Sequence, residues 1–208
     1  MTKEENRNRK VSHKVYEAWE YDREIDDLNK ASQEGWQLEK GGCFHSVFVR
    51  DDSVRYIYQL DFRRNFEEDK ERYLEVFAEQ GWEYINSTFN GWHYFRKRYQ
   101  EGMDEDEKNI YTDKQSLYEM QNRFIAAIKV LTVVYGVMAV MYLFMGITQQ
   151  AIPIFIEGIV FVVGLYFMGV GVCNLSRKRK GMPTIPNLPF IVAFPLMILF
   201  LLLALLFL

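Results

Sequence analysis

Two cysteines and three histidines are all the thiol and imidazole chemistry that this 208-residue chain offers. Cys43 lies in a polar stretch and Cys173 at the end of an apolar one. The two are not expected to pair, and two cysteines make no disulfide framework. A metal centre needs three or four ligands in closed geometry, and neither a Cys-x-x-Cys nor a His-x-x-x-His spacing occurs. Gly41-Gly42 is too short to cradle a phosphate, and no Walker or Rossmann spacing is present. The amino terminus is charged and has no apolar core, so no cleavable secretory signal is expected. Charge itself is scarce in the second part of the chain. Of 28 acidic residues all but one, and of 25 basic residues all but four, precede residue 130. The net charge of −3 and 49% hydrophobic content look ordinary only because they average two unlike regions.

Long apolar runs fill the space that charge vacates. They cover 125–147, 152–173 and 188–208, each close to the ~20 residues that a helix needs to cross a bilayer. The loop at 148–151 is uncharged, whereas Arg177, Lys178, Arg179 and Lys180 follow the second run and Arg123 and Lys129 flank the first. Basic residues stay on the cytoplasmic side. The expected topology is therefore a multi-pass cell-membrane protein with a cytoplasmic amino-terminal region and its carboxyl terminus outside. The run at 177–180 reads as a topology anchor, with anionic headgroup binding as the functional alternative. Glu157 is the one carboxylate inside a run, where insertion costs about 2.5–3.5 kcal/mol. It is shallow enough to reach the interface, or else it marks a helix contact or a proton-sensing site. Gly158, Gly164, Gly169 and Gly171 make no GxxxG pair and read as close-packing positions.

The polar region contains a duplication. Leu28, Gly35 and Trp36 recur at identical spacing as Leu74, Gly81 and Trp82. Each triplet reads as a helix end, a glycine C-cap and a strand opening. Helices are expected over 22–34 and 69–80. Val54, Tyr56, Tyr58, Leu60 and Phe62 share one parity, opposite Arg55, Gln59 and Asp61, which describes a half-buried strand. Further strands are expected at 11–18, 44–50, 82–89 and 92–98, the last two joined at Asn90-Gly91. The order β-α-β-β-α-β-β predicts an α+β two-layer sandwich, ferredoxin-like, built from a duplicated split βαβ with an extra edge strand. It occupies 1–100 as a cytoplasmic domain. An acidic linker, 101–112, leads to a membrane domain, 113–208, whose first helix is capped by Thr112. A helix running straight from that cap into the first span is a stiff joint that would pass an orientation change.

Several of these segments resemble a known family. Ala18-Trp19-Glu20-Tyr21, Gly35-Trp36, Tyr58-Gln59-Leu60-Asp61-Phe62, Gly81-Trp82-Glu83-Tyr84, Gly91-Trp92-His93-Tyr94-Phe95-Arg96 and Tyr111-Thr112-Asp113 are similar, in order, to the bacterial family known as domain of unknown function 2812 (DUF2812). The likeness covers roughly residues 11–115. It implies a Gram-positive type of membrane protein with a cytoplasmic amino-terminal domain, often encoded beside PadR-like transcriptional repressors. It implies no activity and carries over no catalytic residue.

Weighed for chemistry, the remaining residues favour scaffolding. Trp36 and Trp82 read as core, as large aromatics do in small domains. Cys43 and His45 share a strand face, yet nothing supplies an oxyanion site. The acidic balance opposes nucleic-acid binding. Asp61 with Arg63 and Arg64 reads as a solvated strand exit. No catalytic, cofactor-binding or metal residue is assigned. Glu157, Arg55, Gln59, Asp61, His45 and His93 are candidates for a partner or intramembrane site. The expected function is a non-enzymatic membrane protein whose cytoplasmic domain binds a protein, with a PadR-like regulator as the favoured partner, as anchor or signal relay. The alternatives are a small-molecule or lipid sensor and an accessory subunit of a membrane export complex.

Overall fold

Each Gly-Trp pair marks the start of the same local event. Gly35 and Gly81 both sit at φ 81°, a left-handed conformation that a side chain would strain, and each stops a helix and turns the chain into a strand. In a computed structural model, which describes residues 8–64 and 67–185, the elements are β1 (Arg9–Ser12), α1 (Tyr21–Gln33), β2 (Trp36–Lys40), β3 (Ser46–Arg50), β4 (Tyr56–Phe62), α2 (Lys70–Glu79), β5 (Glu83–Ser87), β6 (Trp92–Arg98), α3 (Lys114–Thr148) and α4 (Ile152–Arg179). The chain divides into two units, 1–124 and 125–208.

The first unit is α+β, and its strands form two three-stranded antiparallel sheets, ordered β1-β3-β2 and β4-β6-β5. A single ferredoxin-like sheet is therefore not what forms. The residues 36–40 make a strand of their own, so each half closes its own β-α-β-β sheet with the last strand in the middle. The duplication extends to an irregularity. The register slips between Leu38 and Lys40 in β2 and between Tyr84 and Asn86 in β5, three residues after the tryptophan in both cases. The expected strand at 11–18 shrinks to β1, and residues 18–20 instead form a short 3-10 turn. The hairpin at Asn90-Gly91 has a four-residue loop, 88–91, closed by the Thr88 hydroxyl on Trp92.

Two asparagines join the halves. Asn29 of α1 lies along the outer edge of β4, where its amide donates to the Tyr58 carbonyl (3.4 Å) and its oxygen accepts from the Tyr58 N–H (2.8 Å). Asn86 of β5 does the same to Gly41, at 2.8 and 2.9 Å. Between them lies a buried knot. Gln37 donates to the carbonyls of Asp51 and Val54 and accepts from the Ser32 hydroxyl at 2.8 Å, while the Tyr58 hydroxyl accepts from the Leu38 N–H at 2.9 Å. Buried polar groups of this kind specify register because each is satisfied.

The expected wet face of β4 is absent. Leu60 and Phe62 are buried on one side, and Ile57 and Asp61 on the other. Ile57 packs with Tyr73, Trp82, Phe95 and Ile110, so α2 and the chain after β6 cover that side. The acidic run itself is exposed, and the chain returns to the core at Ile110, which is 4% exposed. Trp82 and Trp92 are core residues, but Trp36 is half-buried, with Lys10 and Arg50 over its ring. Asp113, not Thr112, caps α3, because its carboxylate accepts both the N–H and the hydroxyl of Ser116 (2.8 and 2.7 Å).

Helices α3, which starts in the first unit and continues into the second, and α4 are the two helices among the described residues that are long and apolar enough to cross a membrane, with mean hydropathies of 2.2 and 2.1 in their apolar windows. Large apolar side chains face outward, Val140 at 71% and Phe144 at 66% exposure, which is the pattern of a lipid-facing helix. Gly146, Gly158 and Gly164 are close-packed: an added Cβ would meet Phe155, Leu143 and Tyr135 at 2.6–2.7 Å. No such contact lies near Gly169. The third apolar run, 188–208, lies outside the described residues.

Candidate functional site

A cavity opens where β4 ends and α2 begins. Its volume is about 650 Å³. Phe62, Val76 and Phe77 give it apolar wall, and Arg63, Arg64, Arg72 and Arg123 also line it. Two aspartates, Asp61 and Asp69, face them.

Asp61 organises this end of the domain. It is 1% exposed. Tyr73 donates its hydroxyl to one carboxylate oxygen at 2.6 Å, and Tyr111 donates to the other. Arg123 of α3 pairs with the same carboxylate at 3.0 Å while its Nε donates to the Phe62 carbonyl at 3.1 Å. One buried acid therefore ties together β4, α2, the segment before α3 and α3 itself. Burial and then the Asp61 charge push the Tyr73 and Tyr111 hydroxyls well above the ordinary phenol range, so both remain donors. Asp61 is thus no solvated strand exit: α2 and Tyr111 cover it, and 62 residues of sequence separate it from its cation. His93, opposite Asp61 in the β4–β6 ladder, is 1% exposed. Its Nε2 lies 2.9 Å from the Arg63 carbonyl, to which it donates. Burial holds its pKa below the usual imidazole value, partly offset by that bond and by Asp61.

The first half carries a counterpart. Superposing the two ladders by register sets Ser12 against Asp61 and Lys14 against Arg63, and the helix repeat sets Asp26 and Asp27 against Arg72 and Tyr73. Ser12, Lys14, Asp27, Lys30 and Ala31 line a second cavity of about 220 Å³, the positions equivalent to Asp61, Arg63, Tyr73, Val76 and Phe77 around the first. Here the lysine equivalent to Arg63 is neutralised. Lys14 pairs with Asp27 at 2.9 Å, and Tyr16 donates to the same oxygen at 2.6 Å. Burial raises the Asp27 pKa, but those two bonds outweigh it and leave it lowered. Glu24 lies deeper. Burial pushes its pKa to about 7, against a hydrogen bond from the Tyr94 hydroxyl (2.7 Å) that favours the charged form.

The residues singled out from sequence scatter. Asp61 and His93 come together in one ladder. Gln59 is on the covered face of β4 and donates to the Lys108 carbonyl at 3.0 Å. Arg55 is exposed, its guanidinium 3.9 Å from the Tyr99 ring centre. His45 is exposed and tilted against His13 at 6.3 Å. Glu157 is half-buried in the second turn of α4, and Arg177, Lys178 and Arg179 form the last turn of that helix with Lys180 as its C-cap, where cations complement the dipole. The site also takes Arg72, Tyr73, Tyr111 and Arg123, of which the sequence marks Arg123 only as a flank of the first apolar run and Tyr111 only within a family-like segment. Their available signals were an unmatched tyrosine pair and an arginine at the threshold of an apolar run.

The family model described as Protein of unknown function (DUF2812) matches residues 20–134, more than half of the chain. The match includes every residue that lines the larger cavity. No curated protein and no solved structure matches the chain.

Proposed function

Because the chain belongs to the DUF2812 family of proteins of unknown function, its role has to be read from its own residues, and we propose that it is a non-enzymatic integral membrane protein whose amino-terminal domain senses a small ligand and relays that state through α3. One observation carries this reading: the Asp61 carboxylate forms a wall of the larger cavity and also holds Arg123 of α3. A ligand that competes for Arg123, or that reinforces its pairing, alters how the first turns of α3 are held. The basic cluster at 177–180 and the uncharged loop at 148–151 support a cytoplasmic placement of the domain.

The test is hydrogen exchange on the full chain in detergent, with and without the small-molecule fraction of a cell extract. Protection at the cavity lining together with residues 114–124 is the expected result. Protection at the cavity with 114–124 unchanged would remove the relay and leave a simple binding domain.

A second reading, docking of a protein such as a PadR-like transcriptional regulator, is favoured by one feature. Phe44 and Phe89, 59% and 87% exposed, stack at 6.5 Å on the hairpin ends of the two halves. Exposed paired aromatics are common anchors at interfaces. Crosslinking in living cells that captures a DNA-binding protein with the native chain, but not with Phe44→Ser and Phe89→Ser, would favour it over the ligand reading.

A further inference from the structure

The larger cavity has more cation than its own acids neutralise. Asp61 is engaged by Arg123 and two tyrosines. Asp69 reaches Arg63 only at 3.8 Å, and the Arg63 guanidinium lies 4.9 Å from the Tyr73 ring centre. Arg64 and Arg72 have no ion-pair partner among the described residues. Four arginines against two aspartates leave an excess of two positive charges around about 650 Å³. The equivalent cavity in the first half lacks this excess at the matched positions, since Asp26 and Asp27 stand where Arg72 and Tyr73 stand in the second.

We infer that the cavity binds a phosphomonoester dianion. Planar guanidinium groups match phosphate oxygens two at a time, and a phosphomonoester carries close to two negative charges at neutral pH. The volume falls in the range of small-molecule sites, roughly 300–1,000 Å³. The walls of Phe62, Val76 and Phe77 leave room for an apolar or ring-bearing remainder. Arg64 and Arg72 take the free phosphate oxygens, and Arg63 joins them by leaving its long pairing with Asp69. The same chemistry is offered by a soluble phosphate ester and by a lipid headgroup of the phosphatidic acid type. This inference names the ligand class of the sensing role proposed above and rests on that role only for its consequence in α3.

The experiment is calorimetric titration of the full chain in detergent with glycerol 3-phosphate, and with dimethyl phosphate as a monoanionic control at the same pH. A parallel arm uses the chain in nanodiscs containing phosphatidic acid or phosphatidylglycerol. Saturable binding of the monoester, at least tenfold tighter than the diester, is expected in one arm or both. Binding confined to phosphatidic acid identifies the lipid source. Arg64→Gln and Arg72→Gln should each weaken it about tenfold, and Lys14→Gln in the first-half cavity should leave it unchanged. Asp69→Asn should tighten it several-fold by freeing Arg63, a gain that a damaged fold would not produce. Absence of binding in both arms overturns the inference, as does equal weakening by Lys14→Gln and Arg72→Gln. Binding without protection of residues 114–124 would keep the ligand and remove the relay. Extract-induced protection without phosphate binding would do the reverse.

Discussion

The two halves of the amino-terminal unit share a topology and a register slip, yet they spend their equivalent positions differently. The first half keeps a small cavity in which Lys14 is neutralised by Asp27. The second has a tyrosine in place of that aspartate and an arginine in place of Asp26, and a buried carboxylate, Asp61, where the first has Ser12. Repetition fixes the backbone, and a few side chains decide which copy holds charge. The half that engages Arg123 of α3 is the one whose cavity is large and basic. The two copies thus differ in the charge and size of their cavities.

Paired substitutions at equivalent positions test that division. The largest effect is expected at the tryptophans. Trp82→Ala removes a ring that is 3% exposed and should cost about 3–5 kcal/mol, whereas Trp36→Ala, at a half-buried site, should cost roughly 1 kcal/mol. Thermal or denaturant unfolding of the full chain in detergent, read by tryptophan fluorescence, reports on this unit alone, because all four tryptophans lie in it. Equal costs at the two sites would erase the distinction.

Next in size is the buried acid. Asp61→Asn removes the charge that Arg123 meets and upsets the two tyrosine donors, for about 2–4 kcal/mol. Its counterpart Ser12→Ala should fall within about 0.5 kcal/mol. Hydrogen exchange should also rise at 114–124 in the Asp61 variant and stay unchanged in the other. A rise in both would mean that the first unit loosens as a whole.

The smallest effect is a pH dependence centred on Glu24 of α1. Glu24 titrates near 7 in the folded chain, above the ordinary carboxyl value, so folding favours its protonated form. Its contribution to stability is complete below about pH 4.5 and is lost as pH rises through 7. Glu24→Gln should therefore be close to neutral at pH 5 and stabilise by about 1–3 kcal/mol at pH 8, since the amide still accepts from Tyr94. Unfolding curves at the two pH values check this, and an equal effect at both would rule out the burial of Glu24 as the cause.

The duplication was legible because its punctuation is chemical. A left-handed glycine followed by a tryptophan admits few readings, and it located both helices to within a few residues. Strand β2 was harder, since Trp36–Lys40 alternates weakly and ends in charge. The two-sided burial of β4 was hidden because Arg55 and Gln59 carry the polar parity of a wet face. Helix α2, through Tyr73, and the return of Ile110 and Tyr111 some fifty residues later cover that side. The cavity was illegible for the same reason. Local periodicity describes an element's own faces and says nothing of a distant arginine that will pair with one of them.

Asn29 and Asn86 carry a consequence of their own. A primary amide offers the same donor and acceptor as a peptide group, so β4 meets at its outer edge something that hydrogen-bonds like one residue of a neighbouring strand. An edge strand with free peptide groups is a template for pairing with another molecule. Held by Asn29, β4 is closed to such recruitment, and Asn86 closes Gly41 in the reciprocal direction. Each copy therefore satisfies backbone groups at an edge of the other, and separating them would expose those groups.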